Sequence, residues 1–152
     1  MPVTRGSTTP IHSGQPIKWR LRLSATPERV FAAWLNPADH VKFWSERSER
    51  DAAGFRLHFI DGTIELCRVT ESVSPSRIGL QYFGAQVDIT LERLEDGTDL
   101  TLTARNVPLS EWQDVFAGWL NVLLPFKAWV DFGVDIRSHD PARTWRQGYV
   151  DQ

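Results

Sequence analysis

The stretch GWLNVLLPFKAWVDFG, residues 118–133, predicts an apolar helix with an aromatic face. Successive residues of a helix are rotated by 100°, and this rotation places the large apolar side chains of residues 112–130 on one side. They are Trp112, Val115, Phe116, Trp119, Val122, Leu123, Phe126, Trp129 and Val130. Ser110 and Gln113 have the spacing of a capping box, which places the start of the helix at Ser110. Asp131 and Asp135 fall on the opposite side, where we expect solvent.

The segments upstream of this helix predict an antiparallel sheet. Residues 17–23 alternate apolar and charged side chains, which is typical of a half-buried strand. From residue 54 to residue 104, alternating segments follow one another, separated by turn signals such as Asp61-Gly62. Strands joined by turns this short pair with their neighbours, so we expect an antiparallel meander that the first strand joins. The sheet would then have about six strands.

Two short helices are predicted between the first strand and the meander. Thr26 precedes Pro27, and Asn36 precedes Pro37, and a capping residue before a proline is a helix-start signal. The second helix would therefore begin where the first one stops. The charged residues 45–53 then predict a loop.

The domain organisation follows from the same patterns. Residues 1–16 are polar and predict a flexible leader, and residues 17–137 contain all the regular elements of one domain. The tail, residues 138–152, is polar but contains Trp145 and Tyr149. Because exposed aromatic rings are costly in water, we expect the tail to dock on the domain or on a partner subunit.

Composition excludes several classes of function. A net charge of −2 indicates neither nucleic acid nor an anionic membrane surface as a partner, and no segment has the apolar length of a membrane span. The single cysteine, Cys67, rules out an internal disulfide framework and agrees with a cytoplasmic location. The four histidines are scattered, without metal-ligand spacing, so we expect neither a metal nor a cofactor.

The order of elements resembles the helix-grip fold, an α+β fold in which a curved antiparallel sheet wraps a long C-terminal helix. This fold belongs to the START-related, birch-pollen-allergen-like superfamily (SRPBCC). Three stretches are similar to the subgroup named for the C-terminal domain of activators of the heat-shock-protein ATPase. They are ATPERVFAAWLNPADHVKFWSE at residues 25–46, CRVTESVSPSRIGLQYF at 67–83 and VPLSEWQDVFAGWLNVLL at 107–124. The resemblance spans roughly residues 17–137.

This resemblance implies a cavity between the last helix and the sheet, which would bind an apolar or aromatic small molecule. The residues expected to line it are Trp34, Trp44, Phe55, Phe59, Glu65, Val69, Tyr82, Trp112, Phe116, Trp119 and Leu123. Tyr82 and Glu65 would orient the ligand. Glu65 could instead be a rim carboxylate paired with Arg56, Arg68 or Lys18.

Two other functions remain open at this stage. The same pocket could serve an enzyme of the polyketide cyclase or hydrolase kind, for which Glu65 and His58 are the candidate ionisable groups and which needs no sequence motif. Alternatively, the chain could act through proteins, as a co-chaperone or as a homodimer formed through Leu124, Phe132 and the tail. The sequence favours ligand binding over catalysis.

Overall fold

A computed structural model of the chain describes residues 15–152, and the predicted leader lies outside this range except for its last two residues. The strands are β1 (Ile17–Leu23), β2 (Arg47–Asp51), β3 (Gly54–His58), β4 (Ile64–Val73), β5 (Arg77–Tyr82), β6 (Ala85–Leu94) and β7 (Gly97–Arg105). They form one antiparallel sheet in the order β1-β7-β6-β5-β4-β3-β2. The chain therefore adopts the expected α+β, helix-grip-like fold, with seven strands in the sheet.

The strand that the sequence did not predict is β2, at the edge of the sheet. Its sequence, RSERD, has no apolar residue, and most of its side chains are exposed. It pairs with β3 through the backbone, with Arg47 opposite His58 and Asp51 opposite Gly54. An edge strand that contributes nothing to the core has no apolar alternation, so a loop was the wrong expectation for residues 45–53.

Three α-helices complete the fold: α1 (Pro27–Leu35), α2 (Pro37–Phe43) and α3 (Leu109–Phe132). Thr26 and Asn36 cap α1 and α2 with their side chains, as predicted. The capping box predicted at Ser110 is wrong, because α3 begins at Leu109 after Pro108 and has no side-chain cap. None of the helices in residues 15–152 is long and apolar enough to cross a membrane.

The core lies between the sheet and the three helices. Trp34 of α1 is fully buried at its centre. Its ring stacks on Phe126 at 4.6 Å between centroids and meets the edge of Phe43 at 5.2 Å. Leu123 is buried as well, so the C-terminal half of the aromatic face of α3 is ordinary core.

The C-terminal end of α3 is fastened to the loop that follows β1. The side chain of Asp131 is only 1% exposed. Its carboxylate accepts hydrogen bonds from the backbone N–H groups of Ser24 at 3.0 Å and Ala25 at 3.1 Å, and it pairs with Lys127. Asp135 lies beyond the end of the helix. The expectation that both carboxylates face solvent on one helix side was therefore wrong: Asp131 holds two elements together.

Candidate ligand-binding site

A cavity of about 580 Å³ lies beside the N-terminal half of α3. Its other walls are the end of α2, the loop between β3 and β4, the turn between β5 and β6, and the tail. Six aromatic side chains line it: Trp44, Phe59, Tyr82, Phe83, Trp119 and Trp145. This volume and this composition fall within the range of sites for small organic ligands.

The helix face that borders the cavity includes Val115, Gly118, Trp119 and Val122. Gly118 matters most for the shape of the site. A Cβ atom placed on Gly118 would meet no atom within 4 Å outside the helix's own nearby backbone, so the space in front of the helix is open there. A larger residue at this position would extend into the cavity.

Trp44, Tyr82 and Trp119 form an aromatic cluster in the wall. The ring of Tyr82 lies 5.4 Å from Trp44 and 5.3 Å from Trp119, measured between centroids. The indole Nε1–H of Trp44 donates to the Tyr82 hydroxyl oxygen at 3.2 Å. Burial raises the pKa of Tyr82, so the phenol stays neutral and keeps its proton. Within residues 15–152 this hydroxyl has no acceptor for its own proton, which leaves it free to donate to a ligand.

Ser45 borders the cavity, but its hydroxyl oxygen is buried in the protein. The residue is 1% exposed, and its Oγ has no hydrogen-bond partner among the described residues. Its backbone carbonyl is occupied, since it accepts from the guanidinium of Arg137 at 3.3 Å. A buried hydroxyl without a partner costs about 1–3 kcal/mol.

The turn between β5 and β6 holds Phe83 at the cavity in an unusual backbone conformation. Phe83 and Gly84 form a two-residue hairpin loop with φ values of 47° and 79°. A positive φ is costly for a bulky residue. Glu65 offsets this cost, because its carboxylate accepts a hydrogen bond from the backbone N–H of Phe83 at 2.6 Å. The side chain of Phe83 remains 48% exposed.

Glu65 therefore differs from both sequence-based expectations. It does not line the 580 Å³ cavity. Its hydrogen-bond partner is a backbone N–H, whereas pairing with Arg56, Arg68 or Lys18 was expected. The structure assigns it to supporting the turn that carries Phe83.

The structure brings four of the predicted residues together at the cavity: Trp44, Phe59, Tyr82 and Trp119. Trp34 and Leu123 lie in the core, Phe55 packs its ring 4.7 Å from that of His40, and Val69 packs against the core. None of these four borders the cavity.

Trp112 and Phe116 do not border the cavity and pack beside the part of α3 that does. Their rings stack at 4.9 Å, and Phe116 lies 4.5 Å from Trp19 of β1. The indole of Trp19 also donates to the backbone carbonyl of Phe116 at 3.0 Å. The sequence predicted that this end of the stripe would face the cavity. Instead, Trp19 covers Phe116, and the cavity borders the neighbouring strip of the helix, along Val115 and Gly118.

His58, a candidate ionisable group in the sequence, does not border the cavity, and neither do His40 and Cys67. His40 is fully buried, donates from Nε2 to the carbonyl of Trp34 at 2.7 Å and contacts Ser48 Oγ through Nδ1. Burial lowers the pKa of His40 to about 4 and raises that of Cys67 to about 12, so both are neutral. His58 pairs with Glu49. Residues 15–152 contain no group of three or more His, Cys, Asp or Glu that could hold a metal ion.

The tail provides the remaining wall. Four of its residues, Thr144, Trp145, Arg146 and Gln152, border the cavity together with Arg137. Sequence reasoning missed these residues, as it missed Ser45, Phe83 and Gly118. The available signal was Trp145, a large aromatic residue in a polar segment, which indicated docking without indicating where.

Comparison with known proteins identifies the family. Residues 24–131 match the family model described as Activator of Hsp90 ATPase homolog 1-like protein. The chain belongs to this family. The match runs from the residue after β1 almost to the end of α3, so it supports the resemblance found in the sequence. A search of curated proteins finds no match to the chain.

Solved structures share the fold of this chain at low sequence identity. SSP2350 from Staphylococcus saprophyticus has a TM-score of 0.71 and 20% identity, over 81% of this chain and 96% of its own. The Aha1 dimer from Colwellia psychrerythraea has a TM-score of 0.70 and 19% identity, over 78% and 98%. DynU16, from the dynemicin biosynthetic locus, has a TM-score of 0.67 and 21% identity, over 79% and 48%.

Proposed function

We propose that this chain binds a small, largely apolar molecule in the cavity beside the N-terminal half of α3. The observation that carries the proposal is a 580 Å³ cavity lined by six aromatic rings. A plain core would close such a space, because protein interiors pack as densely as organic crystals.

Each part of the wall has a distinct role in this proposal. Trp44, Trp119 and Phe59 provide apolar contact area for the body of the ligand. The hydroxyl of Tyr82 donates to an acceptor on the ligand, such as a carbonyl or a phenol oxygen. We therefore expect uncharged aromatic ligands with an oxygen acceptor to bind more tightly than pure hydrocarbons of the same size. The proposed setting is the cytoplasm, which suits the single buried thiol of Cys67.

The test is a fluorescence titration with N-phenyl-1-naphthylamine, an uncharged probe that brightens when it leaves water. A ligand efficiency of roughly 0.4–0.5 kcal/mol per non-hydrogen atom predicts a Kd of about 1–10 μM for a probe of this size. The blocking variant is Gly118→Phe, which places a ring in the open space in front of α3. We expect it to weaken binding at least tenfold.

The matched control is Gln113→Phe, which adds the same ring to an exposed position of the same helix. It should leave the Kd unchanged. Equal binding by the wild type and by Gly118→Phe would show that the probe sits elsewhere, and absence of binding by the wild type would refute the proposal.

A second candidate function is self-association, and exposed apolar residues on α3 favour it. Leu124 is 54% and Phe132 is 71% exposed in the single chain, and a relative of the same fold is described as a dimer. We propose a homodimer that covers both residues. Analytical ultracentrifugation should show a dimer that Leu124→Ser with Phe132→Ser converts to a monomer. A wild-type monomer at 100 μM, about the highest concentration of practical use, would refute this second proposal.

A further inference from the structure

We propose that the C-terminal tail, residues 138–152, is a ligand-contacting wall of the cavity and sets which ligand sizes fit. This inference rests on the proposed binding function and adds to it the element that decides specificity. The residues that match the family end at residue 131, whereas Thr144, Trp145, Arg146 and Gln152 all border the cavity. Part of the binding site thus lies outside the region that identifies the family.

Arg137 anchors the start of the tail to the body of the domain. Its side chain is only 4% exposed. The guanidinium donates to the backbone carbonyls of Val41 at 2.6 Å and Ser45 at 3.3 Å, at the end of α2. Such a buried fork of hydrogen bonds fixes both position and direction of the chain. Since Ser45 also borders the cavity, the anchor and the cavity wall share a residue.

His139 provides a second attachment. Its ring nitrogens lie 2.8 Å from Glu46 Oε2 and 2.7 Å from Asp135 Oδ2. The residue adopts a positive φ of 55°, which turns the chain at this point. Arg137 and His139 together direct the following residues back across the cavity.

Hydrogen bonds within residues 138–152 hold the rest of the tail in a defined conformation. The backbone N–H of Ser138 donates to the carbonyl of Asp151 at 2.5 Å. Thr144 and Gln147 form a capping box on a short 3₁₀ turn, Trp145–Gln147. The backbone N–H of Trp145 donates to the side-chain oxygen of Gln152 at 2.7 Å. These bonds hold Trp145 and Gln152 side by side at the cavity.

The tail meets the loop between β3 and β4 across the cavity. Asp61 of that loop and Arg146 both border the cavity and carry opposite charges. The backbone N–H of Thr63 and, to a lesser extent, Arg146 lower the pKa of Asp61. The helix, the loop and the tail therefore all border the cavity, and we expect a ligand that fills it to contact Trp145.

The experiment compares two uncharged probes of different size on the full chain: N-phenyl-1-naphthylamine and the larger 1-pyrenebutanol. Trp145→Ala removes a ring from the wall. We expect it to weaken binding of the smaller probe about tenfold and to leave the larger probe unchanged or tighter, so that the ratio of the two Kd values shifts at least tenfold. Trp145→Phe, which keeps a smaller apolar ring, should shift the ratio in the same direction by less.

Tyr149→Ala is the matched control, because Tyr149 is an aromatic residue of the same tail that does not border the cavity. It should leave the ratio unchanged. If the wild type binds and Gly118→Phe blocks binding, but neither Trp145 variant changes the ratio, the tail is no part of the site and only this inference fails. If the wild type binds neither probe, this inference and the proposed function both fail.

Discussion

The open space in front of Gly118 predicts that Gly118→Ala stabilises the chain. Gly118 lies inside α3, where replacing glycine by alanine stabilises a helix by about 1 kcal/mol. The new methyl group meets no atom within 4 Å beyond the nearby helix backbone, so no clash reduces this gain. For a chain of 152 residues, about 1 kcal/mol corresponds to roughly 3 °C in Tm. We therefore expect Gly118→Ala to raise Tm by about 3 °C.

Gly133→Ala is the matched control for this prediction. A Cβ on Gly133 would also meet nothing within 4 Å, but Gly133 ends α3 with a left-handed φ of 68°. Alanine is strained in that conformation and should cost about 1 kcal/mol, which lowers Tm by roughly 3 °C. Differential scanning calorimetry of both variants measures the two shifts. A loss of stability in Gly118→Ala would mean that the space beside Gly118 is already filled, and it would refute the cavity as described.

Two further predictions concern the buried polar groups. Burial lowers the pKa of His40 in the folded chain to about 4, so the unfolded state binds a proton between pH 6.5 and pH 4 that the folded state does not. Stability should therefore fall as pH decreases through this window, by about 3 kcal/mol in urea titrations. A His40→Gln variant whose stability fell equally between these pH values would contradict this assignment. Asp131→Asn should cost about 2–3 kcal/mol, because it removes the charge from the hydrogen bonds to the backbone of Ser24 and Ala25. Glu95→Gln, at an exposed carboxylate between β6 and β7, provides the comparison, and equal costs for the two variants would show that the Asp131 charge does not hold the helix to this loop.

The sequence predicted the fold well because its apolar periodicities are long. The alternating strands, the Asn36-Pro37 step between the short helices and the apolar stripe of α3 all appear in the structure. Periodicity failed where a segment contributes nothing to the core. The strand Arg47–Asp51 pairs through backbone atoms alone, and no side-chain pattern indicates such a strand.

The site was harder to predict, since a helical wheel shows which residues share a face but not what covers each part of it. Phe116 belongs to the stripe, yet it is covered by Trp19, a residue more than ninety positions away in the chain. Which strand lies over which turn of the helix is a property of the three-dimensional packing.

The contacts of the tail and of the buried polar groups were even harder to predict from the sequence. Arg137 binds the backbone carbonyls of Val41 and Ser45, and hydrogen bonds to backbone carbonyls leave no trace in residue spacing. Ser45 Oγ has no hydrogen-bond partner among the described residues, and this too can be known only from the three-dimensional structure.

The most direct test of the central claim is a protein-observed NMR titration of the full chain with N-phenyl-1-naphthylamine. Binding in the cavity predicts saturable shifts of the Gly118 amide and of the indole N–H signals of Trp44 and Trp119. Trp19 and the exposed residues Leu124 and Phe132 should change little. Shifts confined to Leu124 and Phe132, or the absence of any saturable shift, would contradict the account.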